Sequence, residues 1–536
     1  MRGSKSLLIS LCLVFLTAGL LFGAGQSDGA STSNFNATGL PIVDEPVTIS
    51  MAVVRHLQMN DWNEMGLMQR IEEETNVDIE WIQLVPEEQA DKVDLMFASN
   101  DLPDAFCGRQ GMGREEILTY GPQGVLIPME DLIDQYAPNI KKILTEYPEV
   151  RRLVTTPPNG HIYTLPWMNE YPRRNMRNMF WINQTWLDNL GLETPVTTDD
   201  FYEVMKAFKE DDPNGNGLAD EIPFTFRHWN TSRSQYDLMA SFGVKDPYGA
   251  TDRRGMGLAI IDGRVVFEPT RMEWRAAVEW FHKLYRDGLI HPDSMNHVLS
   301  DWNAKTRAQP AIVGAYTAFG VGRNKVDFVP LKPLVGPTGI QAWRRDLTGV
   351  AKDLYFEITN VNPYPEVTIR WADYVNEGDL PIELEFGPFG THIEEQPDGR
   401  ILRLDQPEDY TPIASWRGDF TPRNYVPYNM TKDLYAKMID PGLDDQNSNY
   451  ATYYEEYIVP VEDVFHPDTW LLPAQQAVID DTLPDISAYV REMMEKWIVE
   501  GGIEQDWDQY IADMNRMGLE RMVAAYQISY EDYISS

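Results

Sequence analysis

The sequence predicts an α/β protein built as two lobes. Three observations carry that expectation. Short apolar strands alternate with amphipathic helices, the mark of βαβ units and a mostly parallel sheet. The alternation begins near residue 46 and begins again near residue 178. The 536 residues allow two to four domains at roughly 150 residues each.

The elements follow in order. Arg2 and Lys5 precede an apolar run from Leu7 to Phe22, a charged region before a hydrophobic one. Gly23-Ala24-Gly25 supplies small residues, so residues 1–25 are read as an export signal cleaved after Gly25. An uncleaved anchor is the competing reading, but the run is short for a membrane span. Cys12 lies inside the run behind Leu11, which is not the small residue that lipoprotein cleavage needs. Acylation there is not expected. Residues 26–44, polar and Ser/Asn/Gly-rich at their start, are read as a flexible linker.

Pro46 to Val53 reads as a buried strand. Trp62, Met65, Met68, Ile71 and Thr75 recur at helical spacing. Val77 to Leu84 alternates as a second strand. A helix is expected over Glu87 to Ala98, then a turn and the short strand Ala105-Phe106-Cys107. In the second pattern Asn178 to Asn183 reads as a strand and Trp186 to Leu190 as a short helix. Thr197 caps the next helix with Asp200 three residues on. Phe201, Val204, Met205 and Phe208 form its core face. Residues 330–430, rich in Pro, Gly and Trp, are expected to hold loops and crossovers. The C-terminal region carries two helical stripes, Ile486 to Trp497 and Trp507 to Met514, read as core packing.

Charge excludes several functions. With 45 Lys plus Arg against 83 Asp plus Glu, the net charge is −38. Such a chain is repelled by polyphosphate, so no nucleic acid is expected as a partner. A polybasic membrane-surface role is excluded on the same ground. Two cysteines, one inside the signal, cannot make a disulfide framework.

The sharpest chemical signal is the stretch Asp212 to Glu221. Oxygen-bearing side chains fall at loop positions 1 (Asp212), 3 (Asn214), 5 (Asn216) and 9 (Asp220), with Gly217 at position 6. Leu218 at position 7 would offer its carbonyl, as in a calcium loop. Position 12 is Pro223 in place of the bidentate Glu, and Glu221 is the expected substitute. A structural Ca2+ is therefore expected; the plainer alternative is a solvated Asx-rich turn. Catalytic signatures are poor. Gly25-Gln26-Ser27-Asp28-Gly29 matches a nucleophile elbow only in pattern, since no strand precedes it and no helix follows. The eight histidines have no zinc spacing. Cys107 reads as a buried small hydrophobe. Tryptophans near loops and strand ends could stack on sugar rings, although each single Trp is more often core. Two basic clusters, Arg173/Arg174/Arg177 and Arg344/Arg345, could pair with an anion or with neighbouring acids.

Serial landmarks then resemble the family 1 extracellular solute-binding proteins of ABC importers, especially their long, alginate-oligosaccharide-binding branch. They are Ala98 to Ala105, Gly124 to Leu132, Gly160 to Pro166, Trp181 to Thr197, the loop Asp212 to Pro223, and Leu483 to Ile486 with Trp507 to Tyr510 and Met517 to Leu519. The resemblance implies a two-lobed periplasmic binding protein fold of type II, with a hinge and an interlobe cleft. It implies a monomer outside the cytoplasmic membrane that captures a carbohydrate and delivers it to ABC permease subunits. The expected partition is 45–165 with 310–375 as lobe 1, and 166–309 with 376–536 as lobe 2. Candidate ligand-binding residues are Trp62, Arg109, Trp167, Trp229, Tyr316, Trp343 and Trp416. The competing function is a secreted carbohydrate-active enzyme, which would need a carboxylate pair in one cleft.

Overall fold

A computed structural model describes residues 34–108, 112–157, 159–170, 176, 178–229, 233–247, 257–318, 327–347, 351–352, 354–411, 413–439, 454–466 and 468–535. The export signal, the start of the expected linker, Arg109 and the cluster Arg173, Arg174 and Arg177 lie outside them.

In chain order the elements that place the site are β1 Val47–Val54, α1 Gly66–Thr75, β2 Val77–Leu84, α2 Gln89–Ser99, β3 Ala105–Cys107, β4 Trp167–Asn169, β5 Met179–Asn183, α3 Thr198–Glu210, β6 Ile222–Thr225, α4 Met272–Arg286, β7 Val313–Ala318, β8 Phe328–Leu331, β9 Ala351–Lys352, β10 Phe356–Ile358, α5 Pro365–Tyr374, α6 Leu380–Phe386, β11 Asn429–Met430, α7 Pro473–Glu500 and α8 Leu519–Ser535.

Lobe 1 is built on the sheet β10-β3-β1-β2. β1 pairs in parallel with β2 from Val47↔Val77 to Val54↔Leu84, and with β3. Met51 to Val54 are fully enclosed, which is why β1 is apolar on both faces: helices cover both sides of a parallel sheet. α1 turns Leu67, Met68 and Ile71 inward. Lobe 2 is built on β8-β5-β7-β6, with β7 parallel to β6 and antiparallel to β5. The Thr197–Asp200 capping box starts α3, and Phe201, Val204, Met205 and Phe208 are buried as the spacing predicts. α4 and α7 complete the second core through Trp274, Phe281, Val490 and Trp497.

The chain crosses between lobes beside β4, which pairs with β9 and β11 in a small third sheet. Leu165 N donates to Phe356 O at 2.9 Å and Tyr355 N to Leu165 O at 3.2 Å. Phe356 faces Cys107, the last residue of β3. The crossings therefore leave lobe 1 at the carboxyl edge of its parallel strands. In lobe 2, Met179 pairs with Ala318, the last residue of β7. The chain thus enters lobe 2 at a carboxyl edge as well, so the two carboxyl edges border the interlobe cleft, where open α/β sheets bind ligands.

Three expectations are corrected. Residues 313–343 pack in the second core, because β7 and β8 hydrogen-bond with β5 and β6. Residues 380–430 pack in the first core. The packing thus joins 310–343 to lobe 2 and 376–438 to lobe 1, the reverse of the expected partition. Residues 34–44 are not a flexible linker: Phe35 bridges Val43, and Ile42 and Val43 are 0% and 1% exposed. The Pro-rich middle holds α5 and α6, both buried in lobe 1, beside its loops. Among the described residues no helix is long and apolar enough to cross a membrane.

Candidate functional site

At the lobe 2 edge, β6 ends at Thr225 beside Tyr316. The chain then turns through Trp229, whose φ is 57°. The Trp229 ring is half-buried, 4.4 Å from His228 and 5.5 Å from Tyr236, with the Arg491 guanidinium 5.1 Å above it. His228 is buried, and Gln235 Nε2 lies 2.7 Å from its Nδ1. An amide nitrogen can only donate, so Nδ1 accepts and the proton sits on Nε2. That Nε2 has no partner among the described residues. Burial, then the Arg491 charge, lower the His228 pKa to about 3, with Gln235 opposing, so the ring is neutral. Gln235 Oε1, Thr317 Oγ1 and Arg233 Nε are likewise buried without a partner. Arg233 lies over the Trp302 ring at 5.1 Å, and Trp302 meets Tyr316 edge-on at 5.7 Å.

Behind this edge Asp237 and Arg344 form an enclosed pair, Oδ1 to Nε 3.3 Å. Asn178 Nδ2 donates to the other Asp237 oxygen at 2.5 Å. Arg344 is thus structural, the blander of the two expectations for it.

At the lobe 1 edge, residues 416–425 run across the ends of β1 and β3. Gly418 O accepts Asn60 N at 2.9 Å, in the segment after β1. A Cβ on Gly108 would lie 2.1 Å from Tyr425 O, so only glycine lets this segment close on β3. Asp419 holds the preceding loop by accepting Tyr410 Oη at 2.8 Å, Ile413 N at 2.9 Å and Ala414 N at 2.8 Å. Trp416 is half-buried and stacked on His392 at 4.1 Å. Glu385 accepts Asn169, the Tyr428 hydroxyl and Arg417.

Of the expected ligand residues, Trp229 and Trp416 reach these edges with rings still partly accessible. Trp62, Trp167, Tyr316 and Trp343 are 0–1% exposed and offer no free face to a ligand. Trp62 packs on Trp81 at 4.8 Å. Trp167 stacks on Tyr355 at 5.7 Å within the crossing sheet. Tyr316 is sandwiched by Trp302 and Phe328. Trp343 donates its indole N–H to Asn178 O at 3.0 Å. Cys107 is buried, and burial pushes its thiol pKa up, away from nucleophilic character. Sequence reasoning passed over His228, Arg233, Gln235, Arg417 and Arg423. Their signal was position: each sits within about a dozen residues of a strand end or beside a candidate tryptophan.

The Asp212 loop folds on itself. Asp212 accepts Asn216 N and Gly217 N at 3.1 and 3.0 Å, and the Asn214 and Asn216 amides donate to Asp220. Gly215 and Gly217 sit at φ 68° and 74°, where glycine is favoured. Glu221 Oε1 is buried without a hydrogen-bond partner among the described residues. Burial first, then the charges of Asp220 and Asp212, push the Glu221 carboxyl up. Oxygen donors crowded in one turn, with one carboxylate oxygen left unmatched, fit a hard cation. No group of three or more His, Cys, Asp or Glu side chains among the described residues is drawn together tightly enough to be a metal cluster.

Comparison with known proteins agrees with this architecture. The model of the bacterial extracellular solute-binding proteins matches residues 63–252. The fructooligosaccharide ABC transporter substrate-binding protein FusA of Streptococcus pneumoniae is 32% identical over 543 residues, 97% of each chain. FusA in complex with kestose superposes with a TM-score of 0.74 at 30% identity, over 91% of this chain and 100% of that one. An EF-hand mutant of FusA with fructo-nystose gives 0.73 at 29%, over 91% and 100%. The alginate-binding protein AlgQ2 without calcium ion shares the fold, with 0.67 at 22% over 93% and 99%. The chain belongs to the bacterial extracellular solute-binding proteins. It is a two-lobed binding protein of an exported family, not an enzyme.

Proposed function

We propose that this protein is the substrate-binding component of an ABC importer and captures an oligosaccharide between its lobes. The observation that carries the reading is the pair of carboxyl edges bordering one cleft, each with a half-buried tryptophan. A sugar ring presents an apolar C–H face that stacks on such a ring. Trp229 on lobe 2 and Trp416 on lobe 1 are the proposed stacking contacts. Hinge closure about the β4-β9-β11 sheet would bury the ligand, and a membrane permease would read the closed form. Micromolar affinity, about −8 kcal/mol, suits a ligand that must be released again. The test is a thermal-shift screen with oligosaccharides, followed by mass spectrometry of the bound sugar. A raised melt with intact sugar supports the reading; a shortened or unsaturated sugar sinks it.

The Asp212 loop is proposed to hold a structural Ca2+ through Asp212, Asn214, Asn216, the Leu218 carbonyl, Asp220 and Glu221. Its support is the unmatched Glu221 oxygen and the donor chemistry. The cation would lock the junction between α3 and β6, which carries the lobe 2 edge. A ligand of the native state raises stability by about 2.7 kcal/mol at a hundredfold excess over Kd. EDTA should therefore lower the melt, and added calcium should restore it; a melt indifferent to both refutes the site.

A further inference from the structure

Trp470 is carried by lobe 2 but buried in lobe 1. The chain before it belongs to lobe 2: Val464 bridges Ala259, and Phe465 meets Tyr526 edge-on at 5.4 Å. The chain after it is α7, whose Ile479, Ile486 and Val490 lie in the second core. Between these segments Trp470 crosses over. Its ring is 5% exposed and packs with Ala52, Val54, Phe106 and Leu126 of lobe 1. The indole N–H donates to Leu153 O at 2.9 Å, also in lobe 1. The Trp470 carbonyl accepts Ser529 Oγ of α8 at 2.6 Å. Arg114 of lobe 1 closes the seat: its guanidinium lies 5.6 Å from the ring centroid, and its Nη2 lies 3.1 Å from Asp468 Oδ1. α8 spans the same joint. Met522 and Tyr526 lie in the second core, and Tyr533 packs against the first.

The place of this plug follows from the alternation of β1. Met51 and Val53 point into the first core, Ala52 and Val54 into the Trp470 cluster. Cys107 and Phe106 of β3 divide the same way. Trp167 of the crossing sheet lies on the Met51 side. The crossing sheet β4-β9-β11 and Trp470 therefore tie lobe 2 to lobe 1 from opposite faces of one sheet. Both ties lie toward its carboxyl edge, where Val54 ends β1 and Cys107 ends β3. A body tied at one place can swing about any axis through it. Tied at two, it turns about the line that joins them. That line crosses the lobe 1 sheet at the floor of the cleft, so rotation about it brings the rims together and leaves the plug seated. Withdrawing the plug would instead wet a large indole and leave its N–H and Leu153 O without each other.

We propose that Trp470 is the second pivot of the hinge. An indole from lobe 2 seated in lobe 1 fixes, together with the β4-β9-β11 sheet, the axis about which the cleft opens and closes. This rests on the hinge closure proposed above and adds its axis.

The test is pulsed electron–electron distance measurement on the chain from Gln26, with calcium present and without sugar. Cys107 is its one native thiol and is buried, so spin labels go to introduced cysteines. One pair flanks the plug, Glu115→Cys with Ala474→Cys. The other spans the rims, Leu57→Cys with Val298→Cys. All four positions are exposed. With Trp470 in place the plug pair should give one narrow distance, and the rim pair a distribution broader by more than about 2 Å. Trp470→Ala should broaden the plug pair by more than about 2 Å, and Ser529→Ala, which removes only the brace from α8, by less. A plug pair as broad as the rim pair with Trp470 in place overturns the pivot. So does a plug pair that stays narrow in Trp470→Ala. A rim pair that shortens in Trp470→Ala means that the ring props the cleft open, which overturns the pivot as well. Two narrow distributions with Trp470 in place mean that the lobes do not turn, and they overturn pivot and hinge together. The measurement with Trp470 in place decides by itself, so misfolding of Trp470→Ala would not leave the pivot untested. No sugar enters, so the result stands apart from whether the protein captures an oligosaccharide.

Discussion

On the lobe 1 edge Asp419 accepts three donors, and Glu385 accepts three more. On the lobe 2 edge His228 Nε2, Gln235 Oε1, Thr317 Oγ1 and Arg233 Nε are buried with none among the described residues. Buried polar groups are nearly always matched in folded proteins, and each exception calls for a reason. The difference teaches a division of labour. Lobe 1 offers a platform already braced by its own hydrogen bonds, ready to receive a ring on Trp416. Lobe 2 offers groups whose partners are not among the described residues, and a ligand or ordered water can supply them. Binding should therefore reorder lobe 2 more than lobe 1.

The largest expected effect lies behind the lobe 2 edge. Asp237→Ala removes the carboxylate 3.3 Å from the enclosed Arg344 Nε, and loss of one member of such a pair costs about 3–5 kcal/mol. Urea unfolding monitored by tryptophan fluorescence should show it; a loss under 1 kcal/mol would mean that the pair is not what braces this edge. Next is Trp229→Ala, which should weaken sugar binding by roughly 2 kcal/mol, about thirtyfold in Kd, with the fold intact. If Trp416→Ala weakens binding more, lobe 1 is the dominant platform and the division of labour is reversed. Asp419→Ala frees three donors on the lobe 1 edge and should cost about 1–3 kcal/mol of stability. Hydrogen exchange of residues 410–419 should rise with it; unchanged exchange removes Asp419 as the brace. The last effect is absent at neutral pH and grows only as the solution is acidified. His228 is lowered to about 3 in the folded chain, so the folded state binds fewer protons there than the unfolded one. Its stabilisation is full above about pH 6.5 and is lost as pH falls toward 3. His228→Gln should flatten the decline of the melting temperature between about pH 6.5 and 4 by roughly one proton's worth.

Much of the frame was readable along the chain. β1, β2, α2 and β3 alternate locally, so periodicity alone places them within about two residues. The helical spacing read from Trp62 starts four residues ahead of α1, in a separate tight turn at Trp62–Glu64. The Thr197 cap and the Asp212 loop were equally legible, because capping and turn chemistry are set by near neighbours. Lobe membership was not. Val313 to Ala318 is an apolar strand whichever sheet takes it, and its partners Met179 and Ile222 lie far away in sequence. The tryptophans failed for a related reason. Trp62 and Trp229 look alike in sequence near strand ends, and only packing decides that Trp81 covers the first while Arg491 leaves the second partly open.

The threading of the lobes has a consequence for how the molecule is made. The first core needs Ile49 and Met430, and the second needs Phe180 and Tyr526. Trp470, between the last crossing and α7, donates to Leu153 O at 2.9 Å, while Ser529 in α8 donates to Trp470 O at 2.6 Å. The first interior is incomplete without Met430 and the second without Tyr526, so neither can close on its amino-terminal half alone. Contacts of such long sequence separation form slowly. The second lobe therefore stays open until α8 has emerged. An open chain is the form that can be threaded through a narrow secretion pore, so late closure of the second lobe suits a member of an exported family.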